Sequence, residues 1–83
     1  MQKISIIIPV LNEESALRAH LPLLQQYRHA GHELIVIDGG SSDASVSVAS
    51  GLADKVLESS PGRGVQMNAG AVQATGPILL FLH

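Results

Sequence analysis

The sequence contains no cysteine and no tryptophan, and a single tyrosine and a single phenylalanine. Without cysteine there is no disulfide, no thiolate zinc ligand and no thiol nucleophile. A reducing compartment is compatible with that composition. With only two aromatics there is no platform on which nucleic-acid bases stack. Charge is also scarce, at 14% of residues against about a quarter in ordinary domains. Five Lys plus Arg against seven Asp plus Glu leave a net charge of −2, which is no electrostatic footprint for DNA or RNA. No apolar run approaches the roughly 20 residues that cross a bilayer. The run from Ile4 to Leu11 follows Lys3 but is interrupted by Pro9. It leads into Asn12-Glu13-Glu14 with no small-residue cleavage site, unlike a signal peptide. There is no internal repeat.

What remains is an apolar chain. Hydrophobic residues are 46% of 83, too many for a disordered segment. A domain of this size buries only about 60% of the surface its unfolded chain exposes, so its core is thin.

Ile4-Ser5-Ile6-Ile7-Ile8 is β-branched and almost wholly apolar, the mark of a strand buried on both faces. Pro9 is expected to end it. Asn12 is read as a helix N-cap, with Glu13 and Glu14 favoured by the positive helix end. Leu17, Leu21, Leu24 and Tyr27 form a helical stripe, with a kink or restart expected at Pro22 and a stop at Gly31. A second strand follows at 33–38 and a short helix at about 43–50, ended by Gly51. A weak strand at 55–58 comes next, then a loop at 59–64. Val65, Asn68 or Ala69, and Val72 mark the inner face of a third helix, stopped by Gly76-Pro77. Residues 78–82 are a fully apolar fourth strand.

Unbroken β-α alternation with apolar strands calls for an α/β fold. Its Rossmann-like sheet has four mostly parallel strands, alternating with three helices on both faces. An apolar last strand needs something to cover it. The chain therefore reads as one incomplete domain over 1–83, a truncated piece of a longer one. The open edge of that strand is a route to a homodimer.

In open α/β sheets ligands bind beyond the carboxyl ends of the strands. The unusual polar residues collect at those ends: Asn12 and Glu13, the Asp38–Asp43 stretch, Arg63 in the third loop, and His83. No glycine fingerprint follows the first strand and no P-loop is present. Asp38 can accept hydrogen bonds from a base N–H or a ribose hydroxyl. Gly39 and Gly40 lack side chains, so a flat base can approach the backbone. Arg63 is the one cation at a strand end and suits a phosphate. One arginine is little against a diphosphate, which points to a divalent metal.

Residues 6–14, Ile-Ile-Ile-Pro-Val-Leu-Asn-Glu-Glu, and 35–43, Ile-Val-Ile-Asp-Gly-Gly-Ser-Ser-Asp, resemble the opening blocks of family 2 glycosyltransferases. Gly62-Arg63-Gly64-Val65-Gln66-Met67-Asn68-Ala69-Gly70-Ala71 resembles a third block and suggests a bacterial subgroup. Residues 78–83 resemble the strand that leads into the family's D-x-D metal motif.

The resemblance, which spans the chain, implies the nucleotide-sugar-binding half of a GT-A fold. It further implies an inverting, metal-dependent transfer of sugar from a nucleoside diphosphate, in the first place a UDP-sugar, to an acceptor hydroxyl. Mg²⁺ or Mn²⁺ is the implied metal, and a cytoplasmic location, at the inner membrane face in the full-length protein, goes with it. The nucleotide is then held by Pro9, Leu11, Asn12, Glu13, Asp38, Gly39, Gly40, Asp43 and Arg63, with Asp38 on the base. His83 stands where the family's metal motif begins with aspartate; the acceptor half and the catalytic base lie further on in the family.

Plainer roles stand beside these. Asp38 can close an Asx turn and Asp43 can cap a helix. Gln66 and Asn68 read as local helix contacts, and His20, His29 and His32 as solvated. Two other functions also compete: a nucleotide-binding or interaction module without turnover, and a sugar nucleotidyltransferase. The latter normally carries a basic, glycine-rich loop after the first strand, where this chain has Pro9-Val10-Leu11-Asn12.

Overall fold

Seven elements alternate along the chain: β1 (Ile4–Val10), α1 (Glu14–His29), β2 (Glu33–Asp38), α2 (Ser45–Ser50), β3 (Lys55–Glu58), α3 (Arg63–Gln73) and β4 (Ile78–Phe81). The computed structural model describes residues 2–82. All neighbouring strands run parallel, in the order β3-β2-β1-β4. Side chains alternate across the sheet. Ile6, Ile8, Val10, Leu34 and Val36 pack under α1 and α2 through Leu17, Leu21 and Ala49. Ile7, Ile35 and Ile37 face α3 through Ala69 and Ala71, and its C-cap Ala74. The chain thus winds outward from β1 to β3 on one side, then crosses back to β4 on the other. That reversal makes the β1/β4 boundary the topological switch point, where such sheets hold ligands.

Several local expectations change. Pro9 does not end β1, which continues to Val10 paired with Asp38 of β2. The reason lies on the other side. Pairing with β4 stops at Ile7↔Phe81, and Leu82 N donates to Ile7 O at 2.9 Å. Pro9 lies two residues on and faces the same way, past the end of that pairing, where its missing N–H costs no ladder bond. Helix α1 runs through Pro22 without restarting. Its end is as expected: Gly31 has φ +96°, and Gly31 N and His32 N donate to Arg28 O and Tyr27 O in a Schellman pattern.

The face of α3 is also different. Val65 and Val72 are exposed, while Gln66 and Gly70 are buried. This helix lies so close to the sheet that a Cβ at Gly70 would sit 2.6 Å from Ile7 Cγ2 and 2.7 Å from Ile37 Cδ1. Only small residues fit beneath it, and the valines point outward.

At the amino end of the sheet, Glu33 is buried with every polar need met. Its carboxylate accepts from Ser5 Oγ (2.8 Å), Thr75 N (2.8 Å) and Thr75 Oγ1 (3.0 Å), and Lys55 Nζ lies 3.5 Å away. Burial works to raise its pKa, but these hydrogen bonds and the lysine outweigh it and hold the group at about 2 rather than 4.5. Ser5 Oγ in turn accepts from Gly76 N at 2.9 Å, fixing the turn into β4. His32 is not merely solvated: its Nδ1 accepts from Ile4 N at 2.9 Å. The four residues of β4 are each about 40% exposed along the sheet edge. Among the described residues no helix is long and apolar enough to cross a membrane.

Candidate functional site

At the carboxyl end of β1, Pro9, Val10, Leu11, Glu13, Gly62, Arg63 and Gln66 line a cleft of about 270 Å³. Drug-sized ligands occupy pockets of about 300–1,000 Å³, so this space suits one part of a larger ligand, such as a base or a phosphate. Four of the residues expected from sequence, Pro9, Leu11, Glu13 and Arg63, meet here. Arg63 is the first residue of α3 and is exposed. Arg18, Arg28 and Lys55 are each bound in ion pairs with Glu14, Asp54 and Glu33, and Arg63 has no such partner among the described residues.

Beside the cleft, the loops after β1 and β2 interlock. Asn12 has φ +50° and is not the N-cap of α1. Its Oδ1 accepts from Ser42 N (2.7 Å), and its own N–H donates to Ser41 Oγ (2.8 Å). The capping of α1 comes from the β2–α2 loop and the first residue of α2: Glu13 N donates to Ser45 Oγ (3.0 Å) and Glu14 N to Asp43 Oδ2 (3.2 Å). Asp43 also accepts from Ser45 N (2.9 Å) at its own helix. Helix α2 starts at Ser45, two residues later than expected, because Asp43 and Ala44 are held in this junction.

Asp38 is 3% exposed and organises the second loop. Its Oδ2 accepts from Gly40 N and Ser41 N, each at 2.9 Å, and its Oδ1 accepts the Ser41 hydroxyl. Three of the roughly four acceptor sites of a carboxylate are therefore filled, leaving one on Oδ1. Burial would raise its pKa, yet the bonds from Ser41 and Gly40 prevail and hold it below the usual aspartate value. The side chain is thus a charged acceptor at neutral pH. For Asp43 the Ser45 hydrogen bonds lead and lower the pKa likewise.

The two glycines differ. Gly40 has φ +105° and open space around it, so it serves the turn. At Gly39 a Cβ would lie 2.9 Å from Gln66 Oε1. That room is taken by the glutamine amide and is not open to a base. Gln66, expected only as a local helix contact, is 4% exposed and bridges α3 to the ends of β1 and β2. The sequence offered one sign of it: a polar residue four after Gly62, on the small-residue face shared with Gly70.

Among the described residues no three His, Cys, Asp or Glu side chains converge as a metal cage. Asp38 and Asp43 each spend three of their roughly four acceptor sites on loop and helix-start N–H and O–H groups. They do not fit a resident cation as they stand. His83, the expected metal ligand, lies outside the described residues.

A parallel sheet with helices on both faces and a cleft at its switch point defines a Rossmann-like α/β fold. The chain belongs to glycosyl transferase family 2, whose family model matches residues 5–83. An uncharacterised glycosyltransferase of Mycobacterium tuberculosis is 36% identical over 80 residues, covering 95% of this chain and 35% of that protein. A PGL/p-HBAD biosynthesis glycosyltransferase of the same species is 36% identical over 85 residues, covering 94% and 33%.

Among solved structures, glucosyl-3-phosphoglycerate synthase from M. tuberculosis, in complex with Mn²⁺, UDP and glucosyl-3-phosphoglycerate, superposes with a TM-score of 0.81. It is 25% identical, covering 98% of this chain and 33% of that one. A mannosyltransferase from Pyrobaculum calidifontis, in complex with GDP-Man and Mn²⁺, gives a TM-score of 0.80 at 25% identity, covering 94% and 26%. The fold is the GT-A glycosyltransferase architecture. The chain spans about a third of the length of the curated relatives it matches.

Proposed function

We propose that this chain forms the nucleotide-binding part of a glycosyltransferase that moves a sugar from a nucleoside diphosphate to an acceptor hydroxyl, with inversion at the sugar carbon. The observation that carries the reading is the cleft at the switch point, where Arg63 faces the end of β1 beside the Asp38 loop. A base lies against Pro9, Leu11 and Glu13, with its N–H directed to the free acceptor site of Asp38. The loop bonds keep that carboxylate ionised and fixed in direction before the ligand arrives, so little ordering is lost on binding. Arg63 takes a diphosphate oxygen. UDP is the nucleotide we put first, on the family resemblance and the UDP bound by the mycobacterial synthase.

Both neighbouring complexes contain Mn²⁺, which supports metal dependence of the whole protein. A bound divalent cation neutralises charge on a diphosphate leaving group. The described residues supply no cage for it. A cytoplasmic site of action, at the inner membrane face, and self-association through the β4 edge belong to the same proposal.

Titration of the full-length protein with UDP, GDP and TDP, with and without Mn²⁺, tests the reading. Saturable binding of one of them in the micromolar range is expected. A folded full-length protein that binds none would sink it. Binding without sugar turnover would favour the non-catalytic module instead.

A further inference from the structure

We propose that Gln66 is a positioning residue of the nucleotide cleft: it sets the place of Arg63 by tying the start of α3 to the ends of β1 and β2. The inference rests on the nucleotide-binding reading above. Gln66 Nε2 donates to Val10 O (2.9 Å) and Ile37 O (2.8 Å), while its Oε1 accepts from Gly62 N (3.2 Å). All three partners are backbone atoms at the strand ends or at the residue before Arg63.

Gly62 has φ +135°, a backbone state that glycine alone adopts at low cost, and its N–H is held by this one side chain. The direction in which Arg63 leaves the sheet follows from that residue. A core-filling role alone would be met by an apolar side chain, which carries no amide to desolvate. Gln66 instead places both amide hydrogens and one oxygen lone pair on the frame of the cleft. Gly39 is shaped around it, since any Cβ there would collide with the amide.

The test is a double-mutant cycle on the full-length protein, with UDP in the presence of Mn²⁺ as the probe, read by calorimetry. Arg63→Ala is expected to weaken binding about tenfold or more. Gln66→Met, which keeps the volume but loses the donors, is expected to weaken it by a comparable factor. In the double variant the Gln66 change is expected to add little, because the arginine it positions is gone.

A structural role alone would give the same loss with or without Arg63, and that result overturns the proposal. Wild-type affinity in Gln66→Met overturns it too, as does an Arg63→Ala variant that binds like wild type. Failure of the wild-type protein to bind UDP or GDP overturns the underlying reading instead. Thermal unfolding accompanies each measurement. If Gln66→Met does not fold, Gly39→Ala takes its place in the same cycle, since its Cβ would lie 2.9 Å from Gln66 Oε1 and displaces the amide.

Discussion

Asp43 and Glu14, 29 residues apart, cap each other's helices. Glu14 N donates to Asp43 Oδ2 at 3.2 Å, and Ala44 N donates to Glu14 Oε1 at 3.1 Å. A capping box ordinarily closes within one helix start; here it closes between two. Each carboxylate therefore holds the loop that carries the other.

Because the two caps share one junction, their loss is coupled. Asp43→Ala and Glu14→Ala each lower the unfolding midpoint, and the double variant loses less than the two single losses added together. Asp43→Asn retains an acceptor oxygen and loses less than Asp43→Ala. Thermal unfolding of wild type and the four variants measures this, and strict additivity would show that the junction is not shared.

Glu33 makes stability depend on acid. Its pKa in the folded chain is about 2, below the ordinary 4.5, so its contribution is fully present above 4.5 and disappears as pH falls through about 2. The drop corresponds to about 3 kcal/mol at neutral pH. Glu33→Gln is thus less stable than wild type at neutral pH, and the gap narrows steadily as the solution is acidified toward 2. Chemical denaturation across that range reads it; a gap that persists into strong acid would refute the assignment.

Gly70 marks the closest approach of α3 to the sheet. Gly70→Ala sets a methyl 2.6 Å from Ile7 Cγ2 and must push the helix outward. The expected cost is about 1–3 kcal/mol, typical of an overfilled core. Denaturation midpoints decide it, and a neutral substitution would mean that α3 shifts freely on the sheet.

Asp38→Asn separates the turn that this side chain holds from the base contact proposed for it. The amide oxygen can still accept from Gly40 N and Ser41 N, so the turn persists with a loss of about 1–2 kcal/mol. The other position becomes an NH₂ donor and no longer accepts a base N–H. Nucleotide affinity is expected to fall about tenfold while the fold survives, measured by titration alongside unfolding.

The strands and their parallel arrangement were legible because apolar, mostly β-branched runs such as Ile4–Ile8 and Leu34–Ile37 admit little else. The clustering of Pro9, Leu11, Glu13 and Arg63 was legible too, since alternation places every strand's carboxyl end on one side of the sheet. Three things were not. Asn12 looked like a local cap, and its partner Ser42 lies 30 residues away. Valines on α3 looked like an inner face, but the small residues at Gly70 and Ala69 set how near the helix comes. Glu33 and Gln66 had ordinary local contexts, and their value lies in partners from other elements, Thr75 for one and Val10 for the other. Hydrophobic periodicity reports faces; it does not report which backbone atom a buried amide or carboxylate will find.

Pro9 carries a last consequence. The hydrogen-bond ladder between β1 and β4 closes with Leu82 N on Ile7 O, and the next rung would require an N–H from Pro9. None exists there. A strand creeping along β1 from that side, whether from the same polypeptide or another, meets a missing rung directly beneath the cleft. Any strand that extends along β1 past Ile7 therefore forgoes one backbone hydrogen bond at Pro9.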